Sequence, residues 1–169
     1  MRRFLKNLVF GLAAGVTYID LIGYVARVEG QSMQPTLNPI NLESDYVFLN
    51  KFKAKDFKVS RGEIVCLISP KDAQQRIIKR VIAREGDVVH TIGYKEKYVK
   101  VPAGHFWIEG DNVNNSLDSN TFGPVPLGLL TAKATHIVWP LSRIGSLNVD
   151  DESVRQPIKF GKKSTLSSS

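Results

Sequence analysis

Apolar and polar residues alternate in short runs through most of this chain, and glycine and proline punctuate the runs. A period of two puts successive side chains on opposite faces of an extended backbone, so each run reads as a strand. The strands predicted are Tyr46–Asn50, Glu63–Ser69, Arg76–Arg84, Asp87–Ile92, Tyr98–Val101, His105–Glu109 and Lys133–Val138. Gly93-Tyr94-Lys95-Glu96-Lys97 sits between two alternating runs and predicts a hairpin loop. Gly86-Asp87 and Pro102-Ala103-Gly104 mark further turns. Past the N-terminal stretch no segment sustains a helical period. The pattern predicts a mainly β domain, an irregular barrel-like set of packed sheets, preceded by one N-terminal helix.

That N-terminal stretch runs from Leu8 to Val28, behind Arg2, Arg3 and Lys6. About 21 residues make roughly 31 Å of helix, enough to cross a bilayer. Asp20 lies well inside it, and a carboxylate at the centre of a span costs about 2.5–3.5 kcal/mol. Asp20 is therefore expected against a partner helix or a polar cavity. A cleaved secretory peptide fits less well, because the stretch is long, Asp20 interrupts it and no small-x-small site follows. An interfacial helix is the remaining alternative. The basic N-terminus predicts that the bulk of the chain lies on the opposite side of the membrane. The organisation expected is an anchor over 1–28, one folded domain over 29–145 and a tail over 146–169 that is partly disordered.

Composition narrows the function classes. The 169 residues are 43% apolar and carry a formal charge of +7, with a cluster at Lys51, Lys53, Lys55, Lys58 and Arg61. Phe52 and Phe57 interleave with these cations, but no nucleic-acid motif accompanies them. The cluster predicts a loop near anionic membrane lipid and no nucleic-acid partner. The single cysteine, Cys66, excludes an internal disulfide and reads as a buried small apolar residue in Ile64-Val65-Cys66-Leu67-Ile68. His90, His105 and His136 lack metal-ligand spacing and there is no Gly-rich phosphate loop, so no metal and no cofactor are expected.

Two residues carry the chemistry. Ser32 lies in Gly30-Gln31-Ser32-Met33-Gln34-Pro35-Thr36-Leu37, and Lys79 in Arg76-Ile77-Ile78-Lys79-Arg80-Val81-Ile82-Ala83. A serine hydroxyl needs a base to take its proton as it attacks, and a lysine serves only when neutral. Burial disfavours the ammonium form and lowers a lysine pKa by up to about 3–5 units. On a strand, Ile77, Lys79, Val81 and Ala83 share one face, so Lys79 emerges among apolar neighbours. Arg80 points away as a second cation that further opposes ionisation. A surface lysine on an edge strand and a serine in an ordinary turn are the bland readings of each residue alone. Together they point to acyl transfer, most simply peptide hydrolysis.

A third block, Gly110-Asp111-Asn112-Val113-Asn114-Asn115-Ser116-Leu117-Asp118-Ser119-Asn120-Thr121-Phe122-Gly123-Pro124-Val125, follows the other two. In this order, behind an apolar segment, the three blocks resemble the type I signal peptidase family from the anchor to Leu141. The resemblance implies a signal-peptidase-like β fold with Ser32 as nucleophile and Lys79 as general base. It implies that Ser116 orients the lysine and that Asp118 is a structural acid beside it. The Ser32 N–H would contribute to an oxyanion hole. Two departures stand out. Gly30 occupies a place where some bacterial members carry a serine donor, and Asn120 one where most carry arginine.

Ala26-Arg27-Val28-Glu29-Gly30 and Asp118-Ser119-Asn120-Thr121-Phe122-Gly123-Pro124-Val125 are most similar to the family's mitochondrial inner-membrane members. That likeness implies a single pass through this membrane, with the catalytic domain facing the intermembrane space. It further implies precursor polypeptides with sorting signals as substrates, and a homologous first subunit as partner in a heteromer. A non-catalytic scaffold subunit is the competing reading, yet a scaffold needs neither Ser32 nor Lys79. A basic β-barrel for nucleic acid leaves the three blocks unexplained. A self-cleaving repressor lacks its helix-turn-helix segment.

Overall fold

A computed structural model describes residues 22–40, 42–147 and Pro157. Ten strands form: β1 (Gly23–Arg27), β2 (Tyr46–Asn50), β3 (Ile64–Ile68), β4 (Arg76–Arg84), β5 (Val88–His90), β6 (Tyr98–Lys100), β7 (His105–Glu109), β8 (Val125–Pro126), β9 (Leu130–Trp139) and β10 (Gly145–Ser146). A short α-helix, α1 (Ser119–Phe122), precedes β8. The main sheet runs β1-β2-β9-β3-β4-β7-β8, with β10 on β9 and a separate β5-β6 hairpin. Its pairings are antiparallel.

β9 holds the sheet together by pairing with β2, β3 and β10. Register shifts at Tyr46/Val47, Phe48/Leu49 and Cys66/Leu67 interrupt these ladders. Such shifts bend a strand and increase its twist, which curls the sheet upon itself. β3 therefore has apolar packing on both faces. Ile64 and Cys66 join a core with Val28, Met33, Leu37 and Val47, whereas Val65 and Leu67 join one with Val81, Phe106 and Ile108. This is why Ile64–Ile68 is an unbroken apolar run instead of an alternating one. A third core packs the β5-β6 hairpin over Trp107.

The mainly β prediction holds, and β2, β4 and β7 keep the predicted bounds. Gly93–Lys97 is the loop of the β5-β6 hairpin, in which His90 pairs with Tyr98. Cys66 is free and buried.

The expected end of the anchor at Val28 is corrected. Gly23–Arg27 is a strand in register with β2. Tyr24 and Ala26 are partly buried and Val28 is buried, while Val25 and Arg27 are exposed. These residues serve the sheet, and an alanine side chain at Gly23 would come within 2.3 Å of the Leu49 carbonyl oxygen. The folded unit thus includes Gly23–Val28, ahead of the expected boundary at 29. It continues past 145, because Leu147 packs on the first core. The remainder of the expected anchor, with Asp20, and most of the tail lie outside the described residues. Among the described residues, no helix is long and apolar enough to cross a membrane.

Candidate active site

Ser32 stands on the turn that follows β1, and buried anchors fix that turn. Met33 is 2% exposed and Leu37 is fully buried. Asn38 Nδ2 donates to the carbonyls of Val28 and Gly30, at 2.8 and 3.2 Å. The Asn38 N–H donates to the buried Asp45 carboxylate, which also accepts from Arg143. From the other side, the Asn112 N–H donates to the Ser32 carbonyl at 3.0 Å. Gly30 has φ of +83°, a left-handed conformation that glycine adopts without strain.

Lys79 comes from β4, opposite Val65 of β3, and is 4% exposed. Its Nζ lies 2.6 Å from Ser32 Oγ. Burial pushes the Lys79 pKa below the ordinary lysine value, while the carboxylates of Asp118 and Asp111 act in the opposite sense. Burial thus makes the ammonium form of Lys79 less favourable than that of a solvent-exposed lysine.

The charges around Lys79 differ from the sequence expectation in one respect. Arg80 is not among the groups that depress its pKa. Its guanidinium is bound bidentately by Asp111, with Nε 2.8 Å from Oδ1 and Nη2 2.7 Å from Oδ2. It also donates to the Gly62 carbonyl and to Thr36 Oγ1. A cation so closely paired contributes little net field at its neighbour. Sequence reasoning missed this role of Asp111, although the residue lies within the third block.

Asp118 is 3% exposed and accepts from the Gly110 N–H, the Asn120 N–H and Asn120 Nδ2. It also caps the N-terminus of α1. Ser116 reaches the same wall, but its Oγ is buried with no hydrogen-bond partner among the described residues. The contact to Lys79 implied by the resemblance is therefore not formed in this structure. Asn120 links Asp118 to the buried Glu109, with Nδ2 3.0 Å from Glu109 Oε1, and its Oδ1 accepts from the Ile92 N–H. The Asn120 amide thus bridges the Asp118 and Glu109 carboxylates.

Ser32 and Lys79 open into a cleft of about 910 Å³. Its lining includes Tyr24, Ala26, the Val28–Met33 turn, Gln75–Lys79, Leu49 and Cys66. Among the described residues, no group of three or more His, Cys, Asp or Glu side chains could hold a metal ion.

The model of the signal peptidase family, peptidase S26, matches residues 1–95 and 90–139. The chain belongs to the signal peptidase S26 family. A mitochondrial inner membrane protease subunit 2 from Mus musculus is 52% identical over 96% of this chain and 93% of its own length. The protein of that name from Homo sapiens is 54% identical over 93% of this chain and 88% of its own. A mitochondrial inner membrane protease subunit 1 from Homo sapiens is 37% identical, covering 80% and 81%. Membership makes this S26 chain a serine peptidase by class.

Proposed function

We propose that this S26 peptidase is a membrane-anchored endopeptidase with a Ser32–Lys79 dyad, acting on precursor proteins of the mitochondrial inner membrane. The observation that carries this reading is the 2.6 Å approach of a buried lysine nitrogen to a serine hydroxyl. Neutral Lys79 takes the proton as Ser32 Oγ attacks the scissile carbonyl carbon. The tetrahedral intermediate collapses, and the Lys79 ammonium returns that proton to the departing amine. An acyl ester remains on Ser32. Water, deprotonated by Lys79, then attacks the ester; the ammonium returns the proton to the departing Ser32 Oγ and the new carboxyl terminus is freed.

The Ser32 N–H serves the developing oxyanion, where each aligned donor contributes about 2.7–4 kcal/mol. Gly30 offers no side-chain donor, so main-chain N–H or water completes that site. Substrate enters extended. Among the described residues β1 ends the sheet and pairs only with β2, which offers its other edge for backbone pairing beside the cleft. Asp118 and Asn120 act as positioning residues that hold the Gly110 wall.

By likeness to the inner membrane protease subunits, the chain resides in the mitochondrial inner membrane through a segment that ends before Gly23. Its peptidase domain faces the intermembrane space and removes sorting signals there. It assembles with a homologous first subunit. The test is precursor processing by this chain and its Ser32→Ala variant, each assembled with a partner inactivated at its own nucleophile. Cleavage lost only in Ser32→Ala supports the reading. Equal cleavage by both removes Ser32 as nucleophile, and no cleavage by either on a panel of precursors favours a scaffold.

A further inference from the structure

The loop from Lys51 to Lys58 carries chemistry that the peptidase reaction does not use. Its Lys51 N–H donates to the Ile22 carbonyl at 2.8 Å. Ile22 is the residue at which the apolar run that starts at Leu8 meets the fold, and Asp20 is the single charge in 8–21. Ala54 and Val59 are buried in the second core and fix the base of the loop. Its two aromatic residues are not buried: Phe52 is 67% exposed and Phe57 is 48% exposed. Phe57 has φ of +52°, a conformation that bulky residues rarely adopt. Lys53, Lys55 and Lys58 are exposed around them, and Asp56 is the only acid of the segment.

We propose that this loop is a membrane-contact surface that seats on an anionic bilayer, Phe52 and Phe57 entering the interface and the lysines meeting lipid phosphates. The inference rests on the anchored reading above and adds an orientation to it. Aromatic rings among lysines match the interfacial zone, where apolar groups bury and cations meet anionic headgroups. The end of the apolar run at Ile22 puts the bilayer on this side of the domain. At the opposite end of β9, where Trp139, Leu141 and Ile144 are exposed, the neighbouring cation Arg143 is taken up by Asp45 and the Thr36 carbonyl.

The orientation has a consequence for substrate. Lys51 Nζ lies 5.1 Å from the centre of the Tyr24 ring, and Tyr24 lines the cleft. In this orientation Tyr24 marks the end of the cleft nearest the bilayer, and β1 leads from it toward Ser32. From Tyr24 to Val28 the strand covers about 13 Å. A precursor must present about four or five extended residues between the membrane and its scissile bond.

Tryptophan quenching by doxyl-labelled lipid in flotation-purified proteoliposomes tests this on the full chain. Vesicles of phosphatidylcholine with and without phosphatidylglycerol are compared for wild type, Phe52→Trp, and Phe52→Trp combined with Lys53→Glu, Lys55→Glu and Lys58→Glu. Wild type reports Trp107, which is buried, and Trp139, which lies about 20 Å along β9 from the residue facing Asn50. The emission added by Phe52→Trp should be lost to quenching in the anionic vesicles, and regained with the three lysine reversals or high salt. A chain that floats without quenching at position 52 overturns the inference and leaves the anchored reading standing. Quenching of Trp139 in wild type overturns it in favour of the opposite end. A chain that does not float overturns both.

Discussion

Lys79 Nζ and Ser32 Oγ lie 2.6 Å apart although 47 residues separate them in sequence. The lysine is set by the β3-β4 ladder and the serine by a turn pinned to the first core. Two groups that act as one unit lose activity non-additively. Ser32→Ala and Lys79→Ala should each reduce kcat/KM by roughly 10⁴-fold or more, and the double variant should fall little further. Kinetics on one precursor peptide check this; additive losses would separate the two residues.

Burial of Lys79 also has a stability consequence. Its folded pKa is lowered from 10.5. Between the folded and unfolded values the unfolded chain binds more protons, so this group's contribution to stability rises with pH. Its destabilising effect is complete below the folded pKa and fades as pH climbs toward the unfolded value. Lys79→Met should unfold at higher temperature than wild type at neutral pH, with the gap closing in alkali. A variant less stable than wild type at neutral pH contradicts this.

Arg80 and Asp111 form a largely buried pair that ties β4 to the segment beneath Ser32. Removing one partner strands the other charge, which costs about 3–5 kcal/mol. Asp111→Ala should lower unfolding stability by that amount, and the Arg80→Leu/Asp111→Leu double variant should recover much of it. Asp111→Asn also removes a carboxylate that supports the Lys79 ammonium, so the acid limb of activity should move to lower pH. Denaturant titration and a pH profile read the two effects separately.

Gly110 has no room for a side chain. A Cβ there would lie 2.3 Å from Ser116 Oγ and 2.4 Å from the Ser32 carbonyl oxygen. The second contact is backbone, so Gly110→Ala must displace the nucleophile's turn. We expect a loss of about 1–3 kcal/mol in stability and a larger proportional loss in kcat than in KM. Wild-type kcat in Gly110→Ala would show that the turn tolerates the shift.

Legibility in the sequence followed the physics of each feature. Arg76–Arg84 was readable because its strand is long and its two faces differ, and the blocks around Ser32, Lys79 and Asp118 carried the family. Gly23–Arg27 was not readable as a strand, because its apolar residues continue those of the preceding stretch without a break. Val125–Pro126 and Gly145–Ser146 are too short to show a period. The Arg80–Asp111 pair and the Asn120 link from Asp118 to Glu109 depend on strand register and loop closure, which residue spacing does not encode. Ser116 was placed at the site by resemblance, yet its hydroxyl lacks the expected partner.

The most direct test of the Ser32–Lys79 dyad compares the titration of Lys79, followed by NMR in the Ser32→Ala protein, with the acid limb of wild-type kcat/KM. The account predicts that Lys79 titrates below the ordinary 10.5 and that activity rises with pH over the same range. A Lys79 that stays charged through the pH range in which the peptidase is active would contradict it.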